Sequence, residues 1–274
     1  MPQHAHISLS RSAWRAGAVS RGTRIVPQET PIALSYCGGT YAVMMATPAD
    51  LEDFAVGFSL SEGIIAAASG IEAMEAVEID GGIDLQIRIG QAASQALTLR
   101  RRALAGPVGC GLCGVESIEA ALKPRAPVAE NPLQLQPSEV CDAVRLLANQ
   151  QPLNAMTHAV HAAGLYVPGE GMKLVREDVG RHNALDKLVG AMAVAGLAAN
   201  SGAIVLTSRV SVEMVQKTAA CGCCFILAVS APTALAIRAA EIANITLVAL
   251  VRGADFDVYT HQHRINPGKR ADVA

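Results

Sequence analysis

The sequence predicts an α/β protein, with a C-terminal three-layer unit on a mostly parallel sheet and a smaller N-terminal α+β unit before it. Three observations carry this. Ala203-Ile204-Val205-Leu206-Thr207, Phe225-Ile226-Leu227-Ala228-Val229 and Ile245-Thr246-Leu247-Val248-Ala249-Leu250-Val251 are apolar without alternation, as strands buried on both faces are. Helical segments around 212–220 and 233–244 separate them, so helices cover both sides of the sheet. In the first half, Ile83-Asp84-Leu85-Gln86-Ile87-Arg88-Ile89 alternates strictly after Gly81-Gly82, and Ala76–Asp80 precedes the glycines as the other arm of a hairpin.

The elements follow in chain order. Residues 1–24 carry His4, His6, Arg11, Arg15, Arg21 and Arg24 around no apolar core of signal length, and read as a flexible leader. Residues 25–137 form the N-terminal unit. Within it, Thr47-Pro48-Ala49-Asp50 has the form of a helix start, with threonine as cap and proline in the first turn. Leu51, Phe54, Ala55 and Phe58 continue at helical spacing, and Gly63 is the stop. The hairpin comes next, then a glycine-rich cysteine loop. Prolines at 124, 127, 132 and 137 mark a linker. Residues 138–274 form the C-terminal unit, which opens on a helix capped by Ser138.

Composition narrows the function. Of 274 residues, 51% are hydrophobic and 17% charged, which excludes disorder. A formal net charge of −2 argues against a general nucleic-acid binder. No apolar run approaches the roughly 20 residues of a membrane span. Seven cysteines, an odd number in tight clusters, do not suggest a secreted disulfide framework and point to a cytoplasmic protein with reduced thiols.

The chemistry centres on Gly109-Cys110-Gly111-Leu112-Cys113-Gly114, shortly after Arg100-Arg101-Arg102. Glycines on both sides keep bulky groups away from the sulfurs. Val115–Leu122 reads as a short helix whose N-terminus, with nearby arginines, favours thiolate over thiol. A packing cysteine needs none of these features.

A second region emerges from the sheet. In open α/β sheets, ligands bind beyond the carboxyl ends of the strands. Here those ends read Thr207-Ser208-Arg209, Ser230-Ala231-Pro232-Thr233 and Arg252-Gly253. Hydroxyls, arginines and helix N-termini suit a phosphate or pyrophosphate. The alternative is a solvated edge with incidental arginines. Neither a Gly-x-Gly-x-x-Gly fingerprint nor a P-loop lysine motif is present to identify a nucleotide. Arg176-Glu177-Asp178-Val179-Gly180-Arg181-His182-Asn183 is a further polar junction, between a strand-like Met172–Val175 and a helix. It reads equally as a helix cap with exposed ion pairs or as part of the ligand site.

Several blocks together resemble the formate dehydrogenase accessory sulfurtransferase family, in order from about Ile25 to Ile265. They are Met44–Phe54, Gly109–Glu116, Glu177–Lys187, Ser208-Arg209 with Glu213–Lys217, and Val258–His261. The resemblance implies a cytoplasmic homodimer with a cytidine-deaminase-like C-terminal domain. Such proteins take persulfide sulfur from a cysteine desulfurase and pass it to the molybdenum cofactor, Mo-bis(molybdopterin guanine dinucleotide), which formate dehydrogenase requires. On that pattern Cys110 carries the persulfide, Cys113 is its partner, and Leu250, Val251, Arg252, Gly253, Ala254 and Asp255 bind cofactor. Ser208, Arg209 and His182 complete the candidate site, with guanosine diphosphate (GDP) as the expected analogue and no metal held by protein side chains. The chain departs from the pattern at Cys223, Cys224 and Ala254-Asp255, where an aspartate would repel phosphate.

Three other readings compete. Cys110, Cys113, Cys221 and Cys223 or Cys224 could ligate zinc or an iron–sulfur cluster. A zinc deaminase would need His-x-Glu and Pro-Cys-x-x-Cys, and the nearest fragment, Thr157-His158-Ala159-Val160-His161, lacks the glutamate. A nonenzymatic cofactor chaperone would use the ligand edge without moving sulfur.

Overall fold

The computed structural model describes residues 4–104 and 126–266 and shows a mixed α/β chain with three sheets. It opens on β1 (His6–Arg15) and β2 (Ala18–Pro27), an antiparallel ribbon turned at Ala16-Gly17, both with positive φ. The expectation of a flexible leader is corrected here. Alternating Ser, Arg and apolar residues pair across the whole ribbon, from His6 opposite Pro27 to Arg15 opposite Ala18. A ribbon that mixes polar and apolar residues on both faces and is exposed on each has no buried side, so hydropathy alone carries no strand signal.

The second sheet has the order β4-β3-β6-β5, from β3 (Thr30–Tyr36), β4 (Gly39–Ala46), β5 (Ile71–Ile79) and β6 (Gly82–Ile89). The Gly-Gly hairpin is β5–β6, with Gly81 at φ 79°. Alternation along β6 buries Ile83, Leu85, Ile87 and Ile89 against Phe54 and Phe58 of α1 (Leu51–Ser61). Asp50, not Thr47, occupies the cap of α1, and Gly63 follows its end at φ 68°. Helix α2 (Gln91–Leu104) runs to the end of this part of the structure.

The third sheet carries the candidate edge. After α3 (Pro137–Ala148) and α4 (Pro152–Thr157) come β7 (His161–Val167), β8 (Gly171–Asp178) and α5 (Arg181–Val194). There follow β9 (Ala203–Leu206), α6 (Val212–Ala220), β10 (Phe225–Ala228), α7 (Ala234–Ile242), β11 (Thr246–Arg252) and β12 (Asp255–Val258). The order is β12-β11-β10-β9-β7-β8. The three apolar runs are the parallel centre, β9–β10–β11, buried almost throughout. The sheet is nevertheless mixed and not mostly parallel. β7–β8 and β11–β12 are antiparallel because short turns at Gly169–Gly171 and Gly253-Ala254 return the chain directly, and β7–β9 is antiparallel because α5 carries the chain back to run β9 in the direction of β8. Pro137 is the first residue of α3 and Glu139 bonds back to the Gln136 N–H, so the cap lies two residues before Ser138.

Helices α1 and α5 lock the two larger sheets together. A Cβ built on Gly57 would lie 1.7 Å from the Asp186 carbonyl oxygen, and one on Gly190 would lie 1.9 Å from that of Asp53. The backbones therefore touch where no side chain fits. No helix among the described residues is long and apolar enough to cross a membrane.

Candidate functional site

Cys110 and Cys113 lie outside the described residues, as do the helix expected over 115–122 and Arg100–Arg102 as side chains. The ligand edge is described fully. Strands β8, β9, β10 and β11 run in one direction and β7 and β12 in the other, so the ends of the first four share an edge with the starts of the last two. That edge gathers Arg181-His182, His161, Ser208-Arg209, Ser230 and Arg252–Asp255. Four strand spacings separate β8 from β11, about 19 Å at the usual inter-strand distance.

Backbone hydrogen bonds hold the edge loops. Val210 N–H donates to the Ala231 carbonyl at 3.2 Å and Thr233 N–H to the Val210 carbonyl at 3.0 Å, tying the loop after β9 to that after β10. Thr233 also caps α7 by accepting the Ala236 N–H at 3.2 Å. Arg209 is exposed, and its guanidinium has no polar partner among the described residues. Ser208 is 4% exposed and its hydroxyl donates to the Arg209 carbonyl, so its side chain is turned away from a ligand.

The segment Leu250–Asp255 divides. Val251 is core, while Arg252, Gly253, Ala254 and Asp255 are exposed around the β11–β12 turn. Leu250 sits at φ 56° where the register of β11 against β12 shifts. The left-handed region is costly for a γ-branched apolar side chain, and strain of this kind collects at functional edges. Asp255 stands opposite Arg252 in the strand pairing, and both residues are exposed at the β11–β12 turn.

The polar junction Arg176–Asn183 separates into structural and available residues. Arg176 pairs with Asp53 of α1 at 2.7 Å. Glu177 accepts the N–H groups of Leu153 and Asn154 at 2.8 Å each, capping α4. Asp178 is fully buried and accepts Thr47 N–H, Gly180 N–H and the Asn183 amide. Asn183 also donates to the Met45 carbonyl. Arg181 and His182 remain toward the edge. Arg181 Nε is buried without an acceptor among the described residues. Burial, with the adjacent Arg181 and Lys217 charges, pushes His182 down to about 4, against the weaker pull of Glu213 3.9 Å away. Burial and Arg181 lower His161 as well. At neutral pH these imidazoles are uncharged hydrogen-bonding groups, and the arginines supply the positive charge.

Two clefts lie away from this edge. One of 670 Å³ is lined by Gly63–Ala66 and Gly90–Ala93, and one of 400 Å³ by Asp50, Leu153 and Arg176 among others. The charges of the second are already committed to the ion pair and cap just described and, for Lys173, to Glu170 2.7 Å away.

Cys223 and Cys224 are sealed in the core. Burial pushes the Cys223 and Cys224 thiols up and that of Cys221 up to about 11. Cys221 and Cys223 donate to backbone carbonyls. The described residues hold no group of three or more His, Cys, Asp or Glu arranged for a metal.

The sequence profile of the FdhD/NarQ family matches residues 27–266. The chain belongs to the FdhD/NarQ family. A sulfur carrier protein FdhD from Agrobacterium fabrum (strain C58) is 55% identical over 257 residues, 94% of this chain and 95% of that protein. Another, from Cupriavidus necator, is 48% identical over 264 residues, 96% of this chain and 91% of its own length. The crystal structure of a proposed formate dehydrogenase accessory protein from Desulfotalea psychrophila superposes with a TM-score of 0.73 at 27% identity, covering 96% of this chain and all of that one. Within this FdhD/NarQ chain, the sequence leaves Arg181 in a junction open between helix cap and ligand site and offers His161 only in a deaminase-like fragment, and the fold brings both to the edge. The signal was Arg181-His182 directly before a helical pattern, at a strand-to-helix junction where the fold class places ligands.

Proposed function

We propose that the protein is a sulfur carrier. It is a sulfurtransferase that accepts persulfide sulfur on Cys110 from a cysteine desulfurase and delivers it to Mo-bis(molybdopterin guanine dinucleotide) for formate dehydrogenase. It works in the cytoplasm as a homodimer, with its C-terminal unit laid out as a cytidine-deaminase-like domain. The relatives' shared name supports the sulfur chemistry. The observation that carries the acceptor is the long edge with Arg209 and Arg252 exposed along it and the N-termini of α6 and α7 behind it. A dinucleotide offers pyrophosphate to the arginines and free amides, and guanine edges to neutral His182 and His161.

The transfer balances with the two cysteines. The Cys110 thiolate attacks the terminal sulfur of the donor persulfide, the donor S–S bond breaks, and its cysteine leaves as a thiolate that takes up the proton. Release of that sulfur as hydrosulfide needs two electrons. Cys113 supplies them by attacking the inner sulfur, which forms the Cys110–Cys113 disulfide and expels the outer sulfur toward the acceptor. A thiol reductant then restores the pair.

Buried Cys223 and Cys224, with thiols held protonated, oppose a four-thiolate metal centre. Mass spectrometry of the Cys110–Cys113 peptide after incubation with a cysteine desulfurase and cysteine tests the proposal. One added sulfur atom, removed by reductant and absent from Cys110→Ala, is expected. No added sulfur on a folded protein that still binds GDP would leave the cofactor-chaperone reading.

A further inference from the structure

The ribbon β1–β2 is the least supported part of the described chain. Its strands pair only with each other, both outer edges are unpaired, and its main contact with the rest of the chain is at its base, where Arg24 donates to the Thr157 carbonyl of α4. An isolated two-stranded ribbon is marginal in water. This one nevertheless exposes Ile7, Leu9, Val19 and, at its tip, Trp14 with 75% of its surface open.

Its charge is equally one-sided. Residues 1–28 hold Arg11, Arg15, Arg21 and Arg24 and no acid, a formal +4. With the whole chain at −2, the remainder carries −6. Much of the negative charge sits on the β5–β6 arm, where Glu72, Glu75, Glu78, Asp80 and Asp84 occur between residues 71 and 84 with no Lys or Arg. Strand β5 is an edge strand, pairing only with β6, and Glu72, Glu75 and Glu78 are exposed along it, Glu72 with Arg88 of β6 3.5 Å away. Unpaired strand edges recruit further strands unless something covers them.

We propose that the β1–β2 ribbon is an arm that lies along the acidic β5 edge of a second copy of this chain, with Trp14 covered in the contact. The inference rests on the homodimer reading above and adds the surface and the charge pairing that would form it. Two such contacts, related by a two-fold axis, close the assembly with the same pair of surfaces on each copy. Opposite charge along the two edges fixes which edge is chosen, and like charge prevents ribbon from pairing with ribbon.

The test uses the full chain. Light scattering across a concentration series is expected to show a dimer, and emission of Trp14, the only tryptophan, shifts to the blue as the dimer forms. Arg11→Glu/Arg15→Glu and Glu75→Arg/Glu78→Arg should each raise the dissociation constant at least roughly tenfold, while circular dichroism shows the body folded. Mixing the two variants should restore dimers, because a mixed pair holds one wild-type and one charge-exchanged contact. Dimers that persist unchanged in both variants would remove the arm and leave the homodimer reading standing. A wild-type chain that stays monomeric would remove both. Weakened variants that fail to complement each other would overturn the pairing with β5.

Discussion

Lys187 Nζ lies 2.6 Å from Asp178 Oδ2, and both side chains are sealed from solvent. Thr47 closes the arrangement: its carbonyl accepts from Nζ at 2.9 Å, and its N–H donates to the same Asp178 oxygen at 2.9 Å. The pair thus joins β8 and α5 to the loop before α1. Removing one partner strands a charge where water cannot reach it. Lys187→Ala is therefore expected to lower the unfolding free energy by about 3–5 kcal/mol in urea titration. Arg145→Ala, which breaks an exposed pair with Asp142, should cost under about 1 kcal/mol. Equal losses in the two variants would mean that the buried pair does not couple the units.

The α1–α5 contact makes a second demand. Gly57→Ala and Gly190→Ala each place a methyl group under 2 Å from a backbone carbonyl, which neither helix can relieve by a rotamer change. Each is expected to cost at least about 3 kcal/mol, with the helices forced apart. Gly22→Ala, whose added methyl meets nothing within 4 Å, should stay within about 0.5 kcal/mol. Thermal unfolding of the three variants checks the ranking.

The parallel centre was legible because continuous apolar runs such as Phe225–Ala228 leave one architecture that covers both faces. Gly81-Gly82 with the alternation of β6 was legible for the same kind of reason. β12 was not, since Asp255-Phe256-Asp257-Val258 is too short to show a period and follows a turn whose glycine gave the only hint. At the site, Arg209 and Arg252 could be placed from strand ends alone. The division of Arg176–Asn183 could not, because whether Glu177 caps a helix depends on where Leu153 and Asn154 lie, some 24 residues away in the chain. Asp178 and Lys187 carried the same ambiguity, as charges that sequence assigns to a surface and the fold seals inside.

His182 gives the pH dependence. Its folded value near 4 lies below the usual histidine value of 6.5. Between those limits the unfolded chain binds a proton that the native imidazole refuses, so stability falls as pH drops from about 6.5 to about 4 and is flat above. His182→Gln removes the group. The variant is expected to lose about 1–2 kcal/mol less than the parent over that window, allowing for the partial exposure of the ring. Chemical denaturation at pH 7, 5.5 and 4 measures the difference, and parallel slopes in both proteins would place the imidazole's titration at its ordinary value.

The edge itself is tested with GDP. The Arg209 side chain is exposed beside the N-terminus of α6 with no ion pair to release among the described residues, so it would be free to meet a bound phosphate. Arg209→Ala should weaken GDP binding about tenfold in calorimetry, ~1.4 kcal/mol, as loss of a charged hydrogen bond does. Asp255 acts in the opposite direction. Its carboxylate belongs to the same exposed β11–β12 turn as Arg252, where it would repel a bound phosphate. Asp255→Asn keeps the shape and removes the charge, so GDP should bind about two- to threefold more tightly, with the gain shrinking as salt screens the turn. If Arg209→Ala leaves affinity unchanged while Asp255→Asn raises it, the phosphate sits at the β11 end of the edge alone. If neither variant changes binding, the nucleotide does not use this edge.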